Sequence, residues 1–372
     1  MTVAAFMDLA LYDPEFGYYA RAAQRSGRAG DFFTSVDVGS LFGELLEIQI
    51  AEIAALLTTD SRRPIIDLVE AGAGNGRLSA DILRAARLRD PDLYQSVRLH
   101  LVEASAGARA AQPTTLGEVG DRLVSSTDSL PNRFEGILLA NELLDALPTH
   151  QVVMRDDLLH EVYVEAGEGR LATREGPLST PRLAEYLQRL GVTLEPGWRA
   201  EINLRAVDWV RDVARRLTRG FVILIDYGHE AVELYGASRS AGTLTTFAGH
   251  TMAGSESSHG TPAWLEHPGE HDITAHVDFT SVRVAAEAEG LTTLGFFDQT
   301  YFLLGLLGGS SDSGGSRVSE GSGFNDLDLK RRLALKTLLM PGGLGSTHKV
   351  LIAGKGVGRP PLRGCSYRQR VT

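Results

Sequence analysis

The stretch Ile65-Ile66-Asp67-Leu68-Val69-Glu70-Ala71-Gly72-Ala73-Gly74-Asn75-Gly76-Arg77-Leu78 constrains the fold of this chain more than any other. A short apolar run ends in an acid, turns through three alternate glycines and enters a helical pattern. That is the grammar of a strand, a tight turn and a helix in a parallel α/β sheet. Alternate glycines let the backbone turn sharply and approach a ligand with no Cβ in the way, and free amides of the following helix point into the same crevice. The spacing here is G-x-G-x-G, with Glu70 two residues before Gly72, whereas dinucleotide turns are usually written G-x-G-x-x-G. A carboxylate at the strand end suits the ammonium of S-adenosylmethionine, which has no pyrophosphate to seat. Glycines used for packing alone are the plain alternative, and NAD is the rival cofactor.

The βα grammar continues downstream. Residues 77–87 read as a helix, 97–103 and 136–140 as strands, 203–217 as a helix, 221–226 as a strongly apolar strand, 278–289 as a helix, and 291–296 and 348–353 as the last strands. Residues 149–176 alternate polar and apolar in pieces broken by turns, as antiparallel hairpins do. Ahead of the sheet, residues 4–19 and 41–57 carry helical spacing. The expected architecture is α/β, a Rossmann-like sheet with an N-terminal helical segment (1–60), a core in two parts (61–148 and 205–356), an inserted subdomain (149–204) and a tail (357–372). The Gly/Ser-rich stretch 308–323 reads as a mobile loop.

Composition excludes some rival classes. A net charge of −10 disfavours attraction to nucleic acid or to anionic membrane surfaces, so neither is an expected partner. No apolar run reaches the roughly 20 residues that span a bilayer. The lone Cys365 can build neither an intrachain disulfide nor a thiolate zinc site, and a reducing cytoplasm is the expected location. No metal-ligand spacing is present, and a homodimer is left open.

The second strand ends in Glu103, where the ribose of a nucleoside cofactor lies in such folds, so Glu103 is expected to accept from both ribose hydroxyls. Two further blocks carry a family likeness. Gly30-Asp31-Phe32-Phe33-Thr34-Ser35-Val36-Asp37-Val38-Gly39 is similar to a G-D-F-x-T-S-P-E stretch, with Val36 and Asp37 in place of Pro-Glu, and Asn141-Glu142-Leu143-Leu144-Asp145-Ala146-Leu147-Pro148 matches N-E-x-x-D-A-L-P. Weaker echoes are Leu224–Gly228, Gly242 through His250, and Asp272–Phe279. Together they resemble the MidA-like family of S-adenosylmethionine-dependent class I methyltransferases, relatives of a mitochondrial complex I assembly enzyme that methylates a protein arginine. The likeness runs nearly end to end.

Resemblance and position together assign roles. Glu70, Gly72, Gly74, Gly76, Glu103 and Asn141, with Asp31, Phe32, Thr34 and Ser35 from a segment folded over the cleft, are expected to bind S-adenosylmethionine. Methyl transfer is an in-line displacement in which the protein aligns the nucleophile and disperses its proton. Glu142 and Asp145, with Asp31, are the expected catalytic carboxylates, able to grip a guanidinium through paired charge-assisted bonds. Asp226, Tyr227, His250 and His276 are expected at the substrate. The acceptor is a protein arginine by resemblance. A small metabolite or peptide is the rival substrate, and a cofactor-binding assembly factor is the rival of another class. For Asp145 and Asp226, capping of a turn is an ordinary alternative.

Overall fold

The computed structural model describes residues 1–22, 34–58, 65–167, 169–248, 251–253, 262–308, 328–340 and 343–367. Asp31, Phe32, His250 and most of the Gly/Ser-rich stretch lie outside the described residues.

Thr2 caps the first helix, α1 (Val3–Tyr12), its side chain accepting from the Ala5 amide, and an 18-residue helix, α2 (Leu41–Thr58), precedes the sheet. The glycine segment gives β1 (Ile66–Ala71) and α3 (Arg77–Arg89). Then follow β2 (Val97–Val102), α4 (Ala106–Leu116), β3 (Leu123–Thr127) and β4 (Phe134–Asn141). The intervening part runs β5 (His150–Arg155), β6 (Leu158–Gly167), β7 (Arg170–Gly176), α5 (Arg182–Leu190), β8 (Arg199–Ile202) and α6 (Leu204–Arg216). The chain returns to the main sheet with β9 (Leu217–His229). After the short strands β10 (Thr245–Ala248), β11 (Thr251–Ala253), β12 (Asp272–Thr274) and β13 (Val277–Asp278) come α7 (Phe279–Ala288), β14 (Thr292–Asp298), α8 (Gln299–Gly308) and β15 (His348–Lys355).

The main sheet has the order β3-β2-β1-β4-β9-β15-β14. Neighbours from β3 to β9 are parallel, and β15 runs antiparallel to both β9 and β14. The chain leaves β1 towards β2 and β3 on one side and resumes with β4 and β9 on the other, so the order reverses between β1 and β4. A crevice opens beyond the strand ends at such a reversal.

Successive side chains of a strand point to opposite faces, and here both faces are covered. Ile223 and Ile225 of β9 join the core with α2, α3 and α8, while Val222 and Leu224 pack with α5, α6 and α7. The interposed strands form a separate four-stranded antiparallel sheet, β7-β6-β5-β8. α1 buries Val3, Phe6, Met7 and Leu11 against Val153, Val162 and Val164 of that second sheet. The N-terminal helix and the interposed strands thus share a core and stand together beside the crevice.

Candidate active site

A cavity of about 500 Å³ fills the crevice, within the range for small-molecule sites. Its floor is the glycine turn. Gly72, Gly74 and Gly76 have φ of 71°, 50° and 82°, so each occupies the left-handed region where a side chain is strained. Their surroundings differ. A Cβ on Gly72 would lie 3.1 Å from Leu143 and one on Gly76 3.2 Å from Leu101, whereas a Cβ on Gly74 would meet none of the described residues within 4 Å. Gly72 and Gly76 permit packing, and Gly74 faces open space. The turn is pinned from behind, where fully buried Gln112 donates to the Gly74 carbonyl at 2.8 Å.

Glu103 accepts the Gly74 amide on Oε2 and the Ser105 amide on Oε1, both at 2.8 Å. It bridges the glycine turn and the turn after β2, both on the cavity wall. Glu70 lines the cavity while its Oε2 accepts from the amide of Ser79 at 3.2 Å and from the Ser79 hydroxyl. Burial pushes its carboxyl up to about 7 against the pull of those bonds, and a cationic ligand would favour the ionised form.

The wall opposite is made after β4. Asn141 ends the strand with its Oδ1 buried and without a partner among the described residues. Glu142 has φ of 51°, a strained setting for a residue with a side chain, and its amide donates to the Ile225 carbonyl at 2.8 Å. Glu142 Oε1 accepts from the Asn141 side chain at 3.2 Å and the Ser35 amide at 3.4 Å, and lies 3.4 Å from His348 Nε2. Asp145 also lines the cavity; burial and then the Glu142 charge push its carboxyl up to about 7.

Asp226, Tyr227, His276 and Ser35, all expected at the site, lie off the cavity wall. Asp226 does not line the cavity: it is 1% exposed, its Oδ2 accepts from the amides of Leu143, Leu144 and Asp145, and its Oδ1 from that of Tyr227. It holds the Glu142–Asp145 turn in shape. Tyr227 is off the cavity wall, its ring 3.9 Å from that of His348, and His276 pairs with His229 at 5.3 Å, where burial lowers its pKa to about 4. Ser35 is fully buried behind Glu142, its hydroxyl on Gln299, whereas Thr34 reaches the cavity.

Other lining residues escaped the sequence reading. Asp128 follows β3, and that strand's polar, half-exposed Leu-Val-Ser-Ser-Thr lacks the apolar run that marked the others. Tyr12, Tyr18 and Tyr19 come from the N-terminal segment; the Tyr12 hydroxyl donates to the Ala146 carbonyl at 3.0 Å and that of Tyr19 to Asp272 at 3.0 Å. Asp37, one of the departures from the family pattern, accepts from Arg77 at 3.2 Å on the same wall.

The residues present fit S-adenosylmethionine: an open approach at Gly74, an orphaned acceptor on Asn141 and carboxylates at two strand ends, on a sheet reversed between β1 and β4. Fold and site together define a class I S-adenosylmethionine-dependent methyltransferase. A family model for S-adenosyl-L-methionine-dependent methyltransferases matches residues 45–297, and the chain belongs to that family, the MidA-like methyltransferases. It is 30% identical over 332 residues to the mitochondrial protein arginine methyltransferase NDUFAF7 of Mus musculus, covering 82% of this chain and 70% of that protein. The Caenorhabditis elegans homologue is 29% identical over 315 residues, with 75% and 66% covered. A Burkholderia thailandensis protein crystallised with S-adenosyl-homocysteine superposes with a TM-score of 0.82 at 26% identity, over 100% of this chain and 92% of that one.

Proposed function

We propose that this chain methylates an arginine guanidinium of a protein. The observation that carries the reading is the charge of the cavity. Asp37, Glu70, Glu103, Asp128, Glu142, Asp145 and Asp272 line it, and among the described residues Arg77, paired with Asp37, is the single basic residue on the wall. A cleft lined by one sign of charge concentrates ligands of the other sign. Bound S-adenosylmethionine supplies an electrophilic methyl group on a cationic sulfur. Glu70, Gly72, Gly74, Thr34, Glu103 and Asn141, all on the cavity wall, would hold it. Glu142 and Asp145 then orient the guanidinium by charge-assisted bonds, and Glu142 takes the proton that the nitrogen gives up. The names of the relatives support a protein arginine as acceptor.

A second reading, a small-molecule acceptor, draws on Val36 and Asp37, which depart from the family pattern and stand on the cavity wall. One experiment separates the two. Tritiated S-adenosylmethionine is added with the purified chain to a lysate of cells lacking it, which is then fractionated and the protein hydrolysed. Tritium in methylarginine is expected. Label confined to small molecules would replace the first reading with the second.

A further inference from the structure

The turn after β4 carries Glu142 and Asp145, and partners from distant parts of the chain engage its backbone. The Glu142 amide donates to the Ile225 carbonyl, and the amides of Leu143, Leu144 and Asp145 share one oxygen of Asp226. Four consecutive carbonyls are held as well. Those of Leu144 and Leu147 accept from the Asn203 side chain at 3.1 and 3.0 Å, that of Asp145 from the Ala275 amide at 3.1 Å, and that of Ala146 from the Tyr12 hydroxyl at 3.0 Å. Backbone groups taken out of water need such partners.

Asn203 holds two of these carbonyls by itself. It lies between β8 and α6, where the chain leaves the interposed sheet, and it is off the cavity wall. Its Oδ1 caps α6 by accepting the Ala206 amide at 2.8 Å, which leaves Nδ2 to donate to the two carbonyls. One side chain thus joins the start of a 13-residue helix to both ends of the stretch from Leu144 to Leu147. Glu142 opens that same turn with φ of 51°. A strained backbone of this kind persists only where its surroundings over-determine it. Loosening the grip on the carbonyls therefore releases the strain, and the carboxylate moves with it.

We propose that Asn203 is a positioning residue for methyl transfer, whose two bonds to the Leu144 and Leu147 carbonyls hold the turn in the conformation that presents Glu142 to the acceptor. The inference rests on the proposed role of Glu142 as the group that meets the acceptor. It adds that the interposed sheet helps to set the alignment of that carboxylate, since Asn203 directly follows β8. Asp226 fixes the amides of the turn and Asn203 its carbonyls, so neither can replace the other.

The test uses the full chain with Asn203→Asp. Aspartate keeps the size of the side chain and the cap of α6, and it replaces the two donors by an oxygen facing two carbonyl oxygens. The rate of tritium transfer from saturating S-adenosylmethionine to lysate protein should fall by roughly 10- to 100-fold, within what a small misplacement costs. Calorimetric affinity for S-adenosylhomocysteine should stay near wild type. Deuterium exchange at the amides of 142–147 should quicken by about tenfold, while that of β1 and the glycine turn is unchanged. Asn203→Ser, a shorter cap that cannot reach the carbonyls and adds no charge, should behave alike. Were Asn203 only a cap, both variants would keep the wild-type rate. That result overturns the inference, as does unchanged exchange at 142–147. In a Glu142→Gln background, Asn203→Asp should cost no more than about twofold further, because it acts through that carboxylate, and a full second loss would also overturn the inference. Full activity of Glu142→Gln would instead sink the role given to Glu142.

Discussion

The two ends of the cavity are built by opposite strategies. The cofactor end is local: β1, the glycine turn and the start of α3 are contiguous, and Glu103 ends the adjacent strand. Its carboxylate oxygens already hold the Gly74 and Ser105 amides. The acceptor end is assembled from Ser35, Glu142, Asp226, Gln299 and His348, which converge from across the chain. It carries the strained backbone of Glu142 and, among the described residues, the unpartnered Nε2 of His348. One end is contiguous in sequence, and the other is gathered in space.

That contrast predicts separable failures, the greatest at the acceptor end. Glu142→Gln should cut turnover roughly 10²- to 10⁴-fold, as loss of a positioned acid or base does, while calorimetric affinity for S-adenosylmethionine stays near wild type. A matching loss of cofactor affinity would erase the division.

Next in size is a stability effect at Glu70. A carboxyl raised by burial favours folding below its unfolded pKa, and that contribution is lost as pH rises through about 7. Glu70→Gln removes the penalty. The ligand-free variant should therefore be more stable than wild type at pH 8, by up to about 3 kcal/mol, and similar near pH 4. Urea midpoints at the two pH values measure this, and a difference independent of pH would mean the carboxyl does not titrate there.

Glu103→Ala should raise the cofactor dissociation constant by roughly 10- to 100-fold, the span of a lost charged hydrogen bond, with kcat at saturation nearly intact. A fall in kcat alone would move Glu103 to the other end of the cavity. The smallest effect is expected from Tyr19→Phe, which frees the N-terminal segment from Asp272. A loss of about 1 kcal/mol, or roughly fivefold in cofactor affinity by calorimetry, would place that segment over the cofactor, and no change would detach it.

Legibility in the sequence follows the same division. The glycine turn and Glu103 could be read because strand period, glycine spacing and strand-end acids are written side by side. β9 was visible through Phe221–Asp226, although it extends to His229, since its ends are polar. β3 was overlooked because an edge strand needs no continuous apolar run, and Asp128 went with it. At the acceptor end, the block from Asn141 to Pro148 was legible only through family likeness. Asp226 was misassigned because a strand-end acid reads alike whether it faces a ligand or caps a turn; the three amides it holds are visible only in space. Nothing in the sequence joins His348 to Glu142, a pairing made by the antiparallel return of β15 beside β9.

The acidic lining also bears on how fast the enzyme can start again. S-adenosylmethionine arrives with a net positive charge, and its sulfur is neutral once the methyl has gone. The walls therefore attract the incoming cofactor more strongly than the spent one. Exchange of product for fresh cofactor is biased forward by a field that chemistry itself switches off. That bias fades with salt only as far as ions reach the cleft, since screening acts over about 8 Å at physiological ionic strength and far less on buried charge.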